Sequence, residues 1–173
     1  MKKIAALALL LLIPMMISAQ AFSFDEGKLK WKFVYEESIS CNDLFKRMLL
    51  SNEFSNIMKL DDSTIYAEIL PKKIDVEQYG FKRMKSPTFF MHYKFGGSVL
   101  IELKPTKYRV TVSNMKMTNV SSNFAPIGEI EGIEYFILTD GAPNETLNGF
   151  VAPILGERYY YMFLFKPMEE EEW

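Results

Sequence analysis

From Phe89 to Val112 apolar side chains return at every second position, with only short breaks between runs. Phe89, Met91, Tyr93 and Phe95 form one set, Val99, Ile101 and Leu103 a second, and Tyr108, Val110 and Val112 a third. A period of two is the signature of a strand with one buried face, and breaks this short join antiparallel neighbours. Gly96-Gly97 predicts a two-residue hairpin, because both positions tolerate a positive φ. Lys104-Pro105-Thr106-Lys107 predicts a second tight turn. After Asn114 the apolar parity slips to Met115 and Met117, which predicts a bulge near Ser113-Asn114. This stretch is therefore read as a consecutive antiparallel meander.

Upstream, Leu29, Trp31, Phe33 and Tyr35 again alternate with other residues and predict a strand. The period then changes. Cys41, Leu44, Phe45, Met48 and Leu49 fall on one stripe of a helix, with Asn42, Asp43, Lys46, Arg47 and Asn52 facing away. Ser40 is placed to cap that helix with Asp43 three residues on, and the helix is expected to end near Ser51–Phe54. Ile57–Leu60 and Thr64–Leu70, split by Asp61-Asp62-Ser63, predict a hairpin. Residues 72–87 read as a polar connection. The last third has mixed signals. Ile133–Leu138 reads as a strand, Asn144 as the cap of a helix containing Pro153, Gly156 as a stop, and Tyr159–Phe165 as strand or helix.

The expected fold class is α+β: a curved antiparallel sheet with one helix packed on one face, in the order β-α-β-β-β-β-β, followed by an extra C-terminal strand or helix segment. Residues 22–166 are expected to form one domain, with the C-terminal segment at 119–166 and an acidic tail at 167–173. Residues 1–21 read as a cleavable secretory signal. Lys2 and Lys3 precede the apolar run Ile4–Ile13, and Ala19-Gln20-Ala21 is a small-x-small site. The run is shorter than the roughly 20 residues that a membrane span requires. The product is therefore expected to be exported to the periplasm or beyond, soluble after cleavage, with no transmembrane anchor. No Cys follows the apolar run, so no lipoprotein is expected. Cys41 is the only cysteine, so the domain relies on its core rather than on an internal disulfide.

Trp31–Tyr35, the segment Ser40-Cys-Asn-Asp-Leu-Phe-Lys-Arg-Met48, Ser98–Leu103 and Lys107-Tyr-Arg-Val-Thr-Val-Ser-Asn114 carry a resemblance. Over residues 28–118 the chain resembles the exported domain of unknown function with a TATA-binding-protein-like (TBP-like) fold that is common in gut Bacteroidota. The resemblance implies a curved antiparallel sheet with a helix on one face. It implies no activity and carries over no functional residue.

Chemistry-bearing residues are sparse. His92 is the only histidine and has no nucleophile or orienting acid in a recognisable motif. One His and one Cys make no standard zinc site, and Cys41 lies on the apolar stripe. Lys72, Lys73, Lys82, Arg83 and Lys85 read as a solvated loop. No catalytic, metal or cofactor site is expected, and the chain is not expected to be an enzyme. Loss of Lys2 and Lys3 with the leader takes the net charge from −2 to −4, which argues against a nucleic-acid partner. A sheet with one helix leaves a second face. That face is expected to carry Phe90, His92, Lys94, Arg109 and Thr111 and to bind an envelope protein or glycan. Two alternatives are a small-ligand carrier or enzyme with a pocket between the sheet and the C-terminal segment, and a structural surface component.

Overall fold

The computed structural model describes residues 22–122 and 126–165. The predicted leader and the acidic tail lie outside the described residues. Strand β1 (Phe22–Asp25) turns back into β2 (Lys28–Tyr35). Helix α1 (Cys41–Leu50) follows, then β3 (Phe54–Asp61) and β4 (Thr64–Lys72). A connection with two 3₁₀ turns leads to the short helix α2 (Phe89–His92), then β5 (Tyr93–Lys104) and β6 (Lys107–Asn119). The C-terminal part holds β7 (Ile130–Gly132), α3 (Glu134–Ile137), the small hairpin β8 (Leu138–Thr139) and β9 (Ala142–Pro143), a π-helical turn (Leu147–Val151) and α4 (Ala152–Met162).

The main sheet runs β1-β2-β6-β5-β4-β3, and every pairing is antiparallel. Strand β6 is long enough to share one edge. Residues 108–112 pair with β2, and residues 116–118 pair with β7. The parity slip after Asn114 is a bulge. Gly96 opposes Lys116 but Ser98 opposes Ser113, and Asn114 takes φ 47° to absorb the extra residue.

Ser40 caps α1, its Oγ accepting from the Asp43 N–H at 3.1 Å. Leu44 and Met48 are fully buried against the sheet. They meet Ile65, Ala67 and Ile69 of β4 and Trp31 and Tyr35 of β2 in one continuous core. Helix α4 adds Ile154, Leu155 and Tyr159 to the same core. Two sheet tyrosines close its C-terminal end. The Tyr35 hydroxyl donates to the Tyr160 carbonyl at 2.8 Å, and Tyr108 donates to the Phe163 carbonyl at 2.7 Å. Helix C-termini leave carbonyls without internal partners, and these phenols supply donors for them.

Several sequence expectations are corrected. Gly96-Gly97 is no hairpin: it lies inside the single strand β5, and Phe89–His92 forms a helical turn before that strand. The glycines are needed for close approach. A Cβ at Gly96 would lie 3.0 Å from the Ile69 carbonyl oxygen, and one at Gly97 3.1 Å from the Ser113 carbonyl oxygen. The order is therefore not β-α-β-β-β-β-β, because β1 precedes the sequence and two expected strands merge into β5. Leu49 leaves the buried stripe and is 57 % exposed. Ile133–Leu138 is mostly the helical turn α3, since Phe136 and Ile137 are needed on the core side. Gly156 lies inside α4 rather than ending it. Pro153 is tolerated because it sits in the first turn of α4, behind a π-turn closed by the Ala152 N–H on the Leu147 carbonyl. The polar connection is anchored by Ile74 and Val76, both buried. The polar residues around them pair locally: Arg83 with Asp75 and Glu77, and Lys72 with Glu53.

Candidate functional site

Both long helices contribute their buried side chains to one face of the sheet. The other face is formed by the opposite strand parity: Lys30, Lys32 and Val34 on β2, Arg109, Thr111 and Ser113 on β6, and Ser98, Leu100 and Glu102 on β5. These side chains are half-buried or exposed, with Val34 at 42 %. Register sets them in rows. Lys32, Thr111, Leu100, Tyr66 and Met58 form one row across five strands. At about 4.8 Å per strand, that row spans roughly 19 Å. Its Leu100–Tyr66–Met58 portion is an apolar strip on a face whose other strand residues, Val34 apart, are mostly polar. A parallel row runs Val34, Arg109, Glu102, Thr64 and Asp61.

Of the five expected face residues, three lie on the open face, with Arg109 and Thr111 near one end of the β5–β6 pair and Lys94 at the other. Arg109 is held by Glu102 across the β5–β6 pair, its Nε donating to Oε2 at 2.9 Å and its Nη2 to Oε1 at 2.8 Å. This is a bidentate, charge-assisted arrangement. Phe90 is a correction: it is 1 % exposed and packs in the core against Phe89 and Phe95. His92 is the second. It ends α2, outside the strand register, half-buried, with its carbonyl accepting from the Val120 N–H at 2.8 Å. Both errors share a cause, because the alternation was extended through a helical turn. The reading missed Leu100, Tyr66 and Met58, although the strand parity that assigned Arg109 to this face also assigns Leu100.

The face is not electrically neutral. Asp25 pairs with Lys30 and Glu102 with Arg109. Lys30 holds the Asp25 carboxyl below its usual range. Lys32, Lys94 and Lys116 share this face with Glu68 and Asp61, and none of these three lysines has an ion-pair partner among the described residues. A chain with net charge −2 therefore presents a sheet face with a cationic excess.

A hollow of about 280 Å³ lies along the Val34–Arg109–Glu102–Thr64 row of the open face, and two others adjoin the sheet. One, of about 130 Å³, opens on the open face between β4, β5 and β6 and includes Glu68, Ser98, Asn114 and Lys116. The other, of about 240 Å³, lies between the β1–β2 edge and the π-turn, with Phe22, Phe24, Leu29 and Leu147 in its wall and Asn148 as its only polar residue. This second hollow occupies the place expected for a pocket beneath the C-terminal segment. Cys41 is half-buried, and burial pushes its thiol up, outweighing the influence of nearby Lys59.

This architecture has a counterpart among solved structures. A TBP-like protein from Parabacteroides distasonis matches with a TM-score of 0.52 at 12% identity, over 82% of this chain and 93% of that one. The fold is TBP-like. A DUF4468 family protein from Bacteroides ovatus has a TM-score of 0.47 at 10% identity, over 87% of this chain and 94% of that one. No family model matches the chain, and no curated protein matches it. The TBP-like sheet with helices on one face is the architecture that the resemblance implied. Among the described residues, no helix of this TBP-like chain is long and apolar enough to cross a membrane.

Proposed function

We propose that the chain is a non-catalytic binding module of the cell envelope, and that its open sheet face engages an anionic envelope component. One observation carries this reading. The C-terminal segment packs on the same side as α1, so the opposite face keeps Leu100, Tyr66 and Met58 accessible in the row that starts at Lys32, with Lys116 and Lys94 further along the β5–β6 pair on the same face. An apolar strip rimmed by polar groups is the usual anatomy of a recognition surface, and unpaired lysines favour an anionic partner.

The test is capture from envelope extracts with the wild-type chain and the variants Leu100→Glu and Lys32→Glu. Both positions lie on the half-buried or exposed face, so folding is retained. Each variant is expected to lose most of the captured partner. Undiminished capture by Leu100→Glu overturns the reading. The apolar hollow beside β1 supports a second reading, a carrier of a small apolar ligand. A fatty acid that shifts the NMR signals of Phe22, Phe24 and Leu147 would favour it.

A further inference from the structure

The hollow of about 130 Å³ in the open face lies at the bulge. Gly96 sits on the open-face parity between Lys94 and Ser98, contributes no side chain, and is buried beside Pro71. Strand β4 closes in on this position, since a Cβ at Gly96 would lie 3.0 Å from the Ile69 carbonyl oxygen and 3.3 Å from the Pro71 side chain, and both residues line the hollow. Opposite, Asn114 in the left-handed region is the extra residue of the bulge, and its exposed side chain joins the rim. Bulges of this kind re-aim side chains and recur next to binding sites.

The lining is bipolar. Lys116 supplies a cation at one side, and Lys94 stands beside it, paired in register with Thr118, itself a lining residue. Glu68 supplies a carboxylate at the other side. It accepts from Asn56 Nδ2 at 2.8 Å and weakly from the Tyr66 hydroxyl at 3.4 Å, and no lysine or arginine neutralises it among the described residues. Ser98 and Thr118 add hydroxyls between the two ends. A bare anion satisfies Lys116 but faces Glu68. A neutral sugar satisfies Glu68 and the hydroxyls but leaves Lys116 and Lys94 without a counter-charge. A ring that carries both a carboxylate and hydroxyl donors matches each end. At about 30 Å³ per water, the hollow holds roughly four waters, the scale of one ring seated by an edge rather than of an oligomer.

Resting on the binding reading above, we infer that this hollow is a subsite for a carboxylated sugar, a uronic-acid residue of an anionic glycan. Lys116 and Lys94 hold the carboxylate, and Glu68, Ser98 and Thr118 take the ring hydroxyls.

The test is an NMR titration of the isotopically labelled full chain with glucuronate, glucose, acetate and glycine. Glucuronate is expected to move the amide signals of Gly96, Gly97, Ser98, Asn114 and Lys116 along a saturating curve. Glucose and acetate are expected to bind at least about tenfold more weakly, because each forgoes one charge-assisted or hydrogen-bonded end. Lys116→Glu is expected to abolish the shifts, and Lys116→Arg to retain them. Lys116 is exposed, so neither change endangers the fold. Equal binding of glucose shows that the lysines read nothing and overturns the subsite. Equal binding of acetate reduces it to an anion site, and tighter binding of glycine makes it a zwitterion site; either result overturns the sugar assignment. The two readings fail separately. If glucuronate leaves these amides unmoved while Leu100→Glu still abolishes envelope capture, the subsite is wrong and the face stands. If Leu100→Glu captures normally, the face itself is wrong.

Discussion

Removing one hydroxyl from each of two buried tyrosines should destabilise the domain unequally, and in the order opposite to their burial. Tyr108 is fully buried and Tyr35 is 4 % exposed, and their rings stack at 4.8 Å. Both phenols donate to the C-terminal end of α4, Tyr108 to the Phe163 carbonyl at 2.7 Å and Tyr35 to the Tyr160 carbonyl at 2.8 Å. Bond length and burial alone would make Tyr108 the more costly loss. The acceptors argue otherwise. The Phe163 carbonyl also accepts from the Phe165 N–H at 3.0 Å, so Tyr108→Phe leaves it one donor. In Tyr35→Phe the Tyr160 carbonyl loses its only side-chain donor among the described residues, and Tyr35 also reaches the Tyr159 carbonyl at 3.4 Å. A lost hydrogen bond with the acceptor still paired costs about 1 kcal/mol, whereas an acceptor left unsatisfied costs about 1–3 kcal/mol. Tyr35→Phe is therefore expected to cost about 2 kcal/mol and Tyr108→Phe about 1 kcal/mol. For a domain of this size that corresponds to drops in Tm of roughly 4–8 °C and 2–4 °C. Urea unfolding followed by tryptophan fluorescence measures both, because Trp31 packs against Tyr159 and Phe163 beside these tyrosines. If both variants lie within about 0.5 kcal/mol of wild type, or if Tyr108→Phe costs more, the capping argument is wrong.

Three further outcomes follow from the same packing. Leu44→Ala should cost about 2–5 kcal/mol because Leu44 is fully buried, while Leu49→Ala, one turn later and 57 % exposed, should fall within about 0.5 kcal/mol; denaturation midpoints compare them directly. Stability should fall at alkaline pH: burial raises the phenols of Tyr35, Tyr108 and Tyr159 and pushes Tyr93 up to about 12, so the folded chain holds protons that the unfolded chain releases near pH 10. The contribution is whole below about pH 9 and is lost as pH rises from about 10 through the Tyr93 value, so a urea midpoint that stays flat to pH 11.5 contradicts the burial of these rings. Cys41 should react with iodoacetamide more slowly at pH 8 in the folded chain than in urea, since burial raises its thiol; faster reaction in the fold would mean that the N-terminus of α1 governs it instead.

What could be read in the sequence was whatever a local period decides. The alternations at Val99–Leu103 and Tyr108–Val112 gave strands in the right register, and the slip at Asn114 gave the bulge, because a one-residue change of parity moves every later side chain to the other face. Local period could not separate a strand from one turn of helix over four residues, which is why Phe89–His92 and Glu134–Ile137 were misread. It also could not show the role of Gly96-Gly97. A glycine pair is permissive in a turn and equally so where another backbone comes close. The difference lies in Ile69 and Ser113, which are distant in sequence and adjacent only after the sheet has formed. The same limit governed the candidate site. Lys94, Arg109 and Thr111 followed from parity, but the hollow did not, because its opposite ends, Glu68 on β4 and Lys116 on β6, are joined by no sequence pattern. Those ends lie on either side of β5, Glu68 opposite Ser98 and Lys116 opposite Gly96. The glycine at 96 is what lets the Ile69 carbonyl and Pro71 come so close to β5, so the tight strand packing and the recess meet at one position.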